Sequence, residues 1–134
     1  MACRGIRGAT TVTENSRAAI LAVGSELLRQ MADANGITAE DIACILFTTT
    51  PDLNAEFPAA AARELGWHMV PLMCAQEIDV PGAHPMCLRI MMLCNTERKA
   101  EEIVHVYTRG ATELRNRSAG HRPHRETPSS RSDP

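Results

Sequence analysis

The chain's 134 residues are one domain's worth, and 44% hydrophobic content supplies a core, although aromatics at 3% leave Val, Ile, Leu, Met and Ala to build it. A formal net charge of −2 argues against a nucleic-acid partner, and no apolar run approaches the roughly 18 residues that a membrane span needs. The five cysteines, Cys3, Cys44, Cys74, Cys87 and Cys94, are odd in number and lack CxxC spacing, which argues against a disulfide framework or a zinc site.

Free thiols in apolar runs suit a reducing cytoplasm, and the N-terminus lacks the apolar stretch of a signal peptide. The charge is unevenly placed. Residues 1–114 hold 9 basic and 14 acidic side chains, a balance of −5, and residues 115–134 hold 5 arginines and 2 acids, a balance of +3.

"MACRGIRGATTV" reads as a β-strand. Alternation puts Arg7 between the two smallest side chains of its face, Gly5 and Ala9. A strand that only packed would fill that space, and glycine inside a strand often marks a ligand approaching the backbone. The plainer alternative is an edge strand with its arginine in water. "ENSRAAILAVGSELLRQMADANG" follows as an amphipathic helix, with Ile20, Val23, Leu27, Leu28 and Met31 at helical spacing and Gly36 placed to end it. Gly24 weakens its interior.

"TAED" (38–41) is a capped single turn, and "IACILFTTT" (42–50) is a nearly all-apolar buried strand. "PDLNAEF" is a polar connection. "PAAAARELG" is a short helix, with Pro58 suited to its first position and Gly66 to its stop. "HMVPLMC" (68–74) is an edge or bulged strand because of its proline. "CLRIMMLCN" (87–95) is another apolar strand, "TERKAEE" a turn, and "IVHVYTRG" (103–110) the last strand. From Asn116 to Pro134 the chain has three prolines and almost no apolar residue, so a disordered basic tail is expected there. The ordered domain is then residues 1–115.

This order predicts an α/β (α+β) fold: a mixed β-sheet with helices on one face. The strands at 42–50 and 87–95 are apolar on both faces, and a chain this short cannot cover the second. Another copy of the chain is the simplest cover.

Arg89 is the most informative residue. It sits in the middle of a two-sided apolar strand, where a charge is costly unless another meets it. Glu77 and Asp79, which share one face of "CAQEIDV", are candidate partners, and a purely structural ion pair is one explanation. Tyr107 is the only tyrosine and shares a face with His105, which reads as a buried, hydrogen-bonded histidine. His68 and His84 have no partner at metal-ligand spacing. There is no GxSxG, HExxH, Walker loop or GxGxxG. What remains is Arg7, Arg63, Arg89 and Arg115 with a Glu, a Tyr and a thiol. That set suits recognition of a small polyanion rather than hydrolysis, hydride transfer or metal chemistry.

"RGIRGATTV", "TTTPDLNAEFPAAAARELGW", "VPLMCAQEIDV", "CLRIMM" and "HVY", in this order and spacing, resemble the monofunctional chorismate mutases of the trimeric pseudo-α/β-barrel type. The resemblance spans roughly residues 3–115. It implies a cytoplasmic homotrimer with active sites between subunits, no cofactor and no metal. It also implies an isomerase that converts chorismate to prephenate, by Claisen rearrangement, for phenylalanine and tyrosine biosynthesis in the shikimate pathway. By position, Arg7 would contact a substrate carboxylate, Arg89 the ether oxygen and a carboxylate, and Glu77 the ring hydroxyl. Cys74 would bond Glu77 or the hydroxyl region through its thiol or backbone, and its neighbours Met73, Ala75 and Gln76 would line the substrate. Tyr107 would reach the pyruvyl side chain. Phe57, Ala59 and Arg63 would wall the mouth, and Leu114 and Arg115 would close it. Ala60 stands where the family carries lysine, and "NRSAG" follows "ELR" where the family has a proline-containing turn.

Two other readings use a similar inventory. One is the trimeric imine/enamine deaminases, also with Arg and Glu in interface clefts but with different motifs. The other is a non-catalytic trimeric binder of small carboxylates, which loss of Arg89, Glu77 or Arg7 would have favoured. All three residues are present.

Overall fold

The computed structural model describes residues 1–114. Arg115 and the expected tail at 116–134 lie outside the described residues. The chain runs β1 (Ala2–Thr11), α1 (Arg17–Asn35), β2 (Ile42–Thr49), α2 (Ala60–Glu64), β3 (Leu72–Gln76), β4 (Cys87–Thr96) and β5 (Val106–Tyr107), with single 3-10 turns at Ala39–Asp41, Ala100–Glu102 and Arg109–Ala111. The five strands form one sheet in the order β3-β2-β4-β1-β5. The β2–β4 and β4–β1 pairs are antiparallel, and the β2–β3 and β1–β5 pairs are parallel. The fold is α+β, as the order of elements implied. No helix among the described residues is long and apolar enough to cross a membrane.

Strand alternation sorts the sheet into two unlike faces. Ile6, Thr10, Ile45, Phe47, Leu88, Ile90, Met92 and Cys94 are buried under α1 and α2 in one apolar core. In β2 the buried isoleucines Ile42 and Ile45 are three apart, a spacing that alternation forbids. A bulge at Ala43 supplies the extra residue and brings both to the core side. Ser16 caps α1 by accepting the Ala19 N–H, and the helix ends at Gly36. Gly24 costs α1 propensity but lets α2 come close. A Cβ at Gly24 would lie 3.1 Å from the Ala61 methyl.

Three boundaries differ from the sequence reading, each for a backbone reason. The strand expected at 68–74 is 72–76. Pro71 has no N–H and contributes only its carbonyl, to the Ile45 N–H at 3.0 Å, and the ladder begins after it. The strand expected over 103–110 shrinks to Val106–Tyr107. Asn35 takes both backbone groups of Val104, and Arg109, at a φ of 54°, turns the chain away. Pro58 lies two residues before α2 and accepts the Ala61 N–H in a tighter opening turn.

The second face of the sheet is bare across its middle. Leu46 and Met91 are each 38% exposed although they lie in the centre of their strands, and Met73, on the edge strand β3, is 67% exposed. Among the described residues, only a small cluster of Ala9, Cys87, Ala111 and Leu114, flanked by Tyr107, covers one end of it.

Candidate active site

The registers place several of the expected site residues on this bare face. Ala75, Thr48, Arg89, Ala9 and Tyr107 form one cross-strand row over β3, β2, β4, β1 and β5. The next row holds Met73, Leu46, Met91 and Arg7. Ala9 is the floor between Arg89 and Tyr107, and with Gly5 it keeps the space beside Arg7 open, as the opening strand suggested.

Arg89 is paired. Its Nε lies 3.4 Å from Glu77 Oε2, with the arginine side chain 50% and the glutamate 22% exposed. A half-exposed guanidinium has no burial penalty that demands a partner, so the pair is not there to rescue a buried charge. Glu77 is fixed instead for its own sake. Its N–H donates to the Thr49 carbonyl at 2.9 Å, and its carboxylate accepts the Thr48 hydroxyl.

Two hollows meet at Arg89. One, of about 170 Å³, is bounded by Arg7, Thr48, Met91 and Tyr107. The other, of about 290 Å³, is bounded by Glu77, His84, Cys87 and Leu114. Arg89 lines both, with Arg7 and Tyr107 on one side of it and Glu77 and Leu114 on the other. Burial pushes the Cys87 thiol up from its ordinary 9.0, against the pull of the Arg89 charge, so it stays neutral and apolar at this edge.

Several other residues expected at the site line a further hollow, and Ala75 belongs both to it and to the row of Arg89. Phe57, Cys74, Ala75 and Gln76 line a larger hollow of about 390 Å³ beneath the loop that follows β2, and neither Arg89 nor Glu77 reaches it. Cys74 does not meet Glu77. Alternation sets residues 73, 75 and 77 on one face and turns 74 toward α2, near the Ala59 amide and the Arg63 charge. Burial raises the Cys74 thiol above its ordinary 9.0, with that amide and the Arg63 charge pulling the other way. Ala59 is 6% exposed and packs in the helix-side core. Arg63 and Phe57 are exposed.

Sequence reasoning missed Thr48 as the group orienting Glu77. The signal was present: residue 48 shares the parity of Leu46 on the face opposite the core. His105 accepts the Arg7 backbone N–H at 2.9 Å through Nδ1, so the hydrogen-bonded reading of this histidine is correct.

A five-stranded mixed sheet, helix-backed on one side and carrying two guanidiniums, a carboxylate and a phenol on the other, defines an α+β protein built to hold a small polyanion. The family model for chorismate mutase type I matches residues 3–118. A chorismate mutase from Thermus thermophilus is 48% identical over 113 residues, covering 84% of this chain and 93% of the relative. One from Bacillus subtilis (strain 168) is 44% identical over 116 residues, covering 86% and 91%. A solved chorismate mutase from Clostridium thermocellum superposes with a TM-score of 0.81 at 50% identity, covering 82% of this chain and 98% of that one. The chain belongs to the type I chorismate mutase family.

Proposed function

We propose that the chain is a chorismate mutase that rearranges chorismate to prephenate on the bare sheet face, in a cleft completed by a neighbouring copy. The observation that carries this reading is the Arg89–Glu77 pair, held beside Arg7 and Tyr107 on a face with no packing use for charge.

The reaction is pericyclic and unimolecular, so it needs orientation and electrostatics rather than a nucleophile. Chorismate is a dicarboxylate that must adopt a compact chair before its C–O bond breaks and its C–C bond forms. Arg7 holds one carboxylate, which restricts the conformer. Arg89 lies where its guanidinium can face the ether oxygen as negative charge develops there. Glu77, oriented by Thr48, accepts a hydrogen bond from the ring hydroxyl, and the Tyr107 phenol reaches the pyruvyl arm. Leu114 limits water at the far edge.

Phe57, Cys74 and Gln76 line a further hollow away from Arg89, which fits a site assembled from two subunits, each lending its loop to the other's sheet. A homotrimer buries Leu46, Met73 and Met91. Five unpaired thiols suit work in a reducing cytoplasm. The test follows chorismate absorbance in the ultraviolet with and without protein, alongside sedimentation equilibrium. Accelerated loss yielding prephenate, from a trimer, supports the reading. Unchanged loss, or a monomer at micromolar concentration, refutes the catalytic or the assembly half respectively.

A further inference from the structure

We infer that His105 is a positioning residue for Arg7: its Nδ1 lone pair fixes the backbone from which the carboxylate-binding guanidinium extends. The inference rests on the proposed role of Arg7 and adds a residue to it.

The reason lies in a gap in the β1–β5 ladder. Gly8 pairs with Val106 and Ala9 with Tyr107, and Thr108 N–H donates to the Ala9 carbonyl at 3.0 Å. By the same parallel register, the Arg7 N–H would next meet the Val104 carbonyl. That carbonyl is taken. Asn35, the buried last residue of α1, donates Nδ2 to it at 2.9 Å and to the Met31 carbonyl at 2.8 Å. Its Oδ1 accepts the Val104 N–H at 2.8 Å. The helix end thus pulls Val104 out of the ladder and ends β5 one pair early.

The Arg7 N–H would be left without a strand partner, one residue short of the paired region and directly beside the site. The His105 imidazole replaces the missing carbonyl at 2.9 Å. Because the peptide N–H donates, Nδ1 must carry the lone pair and the ring proton must sit on Nε2. Burial and the Arg7 charge both hold His105 below its ordinary 6.5, which keeps that neutral form at physiological pH. A backbone left free here would let the guanidinium swing, and a misplacement of about 1 Å is enough to lose a large part of an oriented contact.

Asparagine is the informative replacement. Its Oδ1 stands the same number of bonds from Cα as histidine Nδ1, so His105→Asn keeps the acceptor and removes the ring. His105→Gln carries its oxygen one bond too far. The experiment measures chorismate kinetics for His105→Ala, His105→Asn, His105→Gln and Arg7→Ala, and reads the ring nitrogens of nitrogen-15-labelled wild type by NMR, with His105→Asn assigning the signal. His105→Ala and His105→Gln are expected to raise KM about tenfold and change kcat less than about twofold, with His105→Asn restoring KM. The wild-type ring is expected as the Nε2–H tautomer. A ring protonated at Nδ1 overturns the inference even if no variant folds. So does an unchanged KM in His105→Ala when Arg7→Ala raises it, or a loss of melting temperature without a KM effect. Should Arg7→Ala itself leave KM unchanged, the assigned role of Arg7 fails, and the inference with it.

Discussion

Arg89→Ala separates catalysis from folding. In the free subunit Arg89 is half exposed and its one ionic partner among the described residues, Glu77, lies 3.4 Å away. A pair this open to water contributes about 0–1 kcal/mol to stability. Glu77 keeps the Thr48 hydroxyl and the Thr49 carbonyl when the arginine goes, so the loop after β3 stays in place. For a domain of this size, ~1 kcal/mol is a melting-temperature change of a few degrees. The catalytic loss is far larger. Removing one preorganised donor to a developing oxyanion costs about 10²–10³ in kcat, and a charged donor exceeds a neutral one. We expect kcat to fall by roughly three orders of magnitude, which is about 4 kcal/mol at 1.36 kcal/mol per decade. Arg89→Lys should recover only part, since an ammonium lacks the planar fork. Chorismate absorbance gives the rate and thermal melts give the fold. The refuting result is specific: if citrulline, the neutral isostere, kept near-wild-type kcat at position 89, charge stabilisation would be wrong and conformer selection would carry the rate.

Arg7→Ala should raise KM by about tenfold to a hundredfold and spare kcat more than Arg89→Ala does, because a carboxylate bears its charge in ground and transition states alike. Equal losses in kcat from both variants would contradict that division. Gly8→Ala would drive its new methyl to within 2.3 Å of the buried Met31 sulfur, so stability should fall by about 1–3 kcal/mol in urea titration; an unchanged midpoint would show that Met31 has room to move. His105 sits below its ordinary 6.5 through burial first and the Arg7 charge second. Its neutral form is favoured in the fold, so its contribution is complete above about pH 6.5 and is lost as pH falls from there to the folded value. Thermal melts of wild type against His105→Asn across that window should show the smaller acid loss in the variant.

The elements most legible in the sequence were those whose signals are local. The helical spacing from Ile20 to Met31 gave α1, and an arginine alone in "CLRIMML" marked both β4 and the site. The two-sided apolarity of 42–50 and 87–95 pointed to the bare face that Leu46 and Met91 now show. What escaped was decided across long sequence separations. The β5 strand is short because Asn35, 69 residues earlier, binds both backbone groups of Val104, and no pattern within "IVHVYTRG" carries that information. The Thr48–Glu77 bond spans 29 residues and depends on the β2–β3 register. Parity over 73–77 also turns the Cys74 side chain away from the face of Glu77, a constraint that was legible in the sequence and that the family resemblance passed over.

The exposure of Arg89 ties the chemistry to assembly. A guanidinium 50% open to water acts in a high dielectric, where its hold on a developing negative charge is weak. An effect of three orders in kcat needs a drier cleft than a single subunit provides. The apolar side chains that flank it, Met91 in the next row of β4, Leu46 on β2 and Met73 on β3, are the surface on which a second copy would exclude that water. Catalysis and association should therefore be linked. Specific activity should fall on dilution below the dissociation constant of the assembly, in step with the loss of trimer by sedimentation. A variant that sediments as a monomer yet keeps full kcat would break the link, and would mean that one subunit's own loops dry the site.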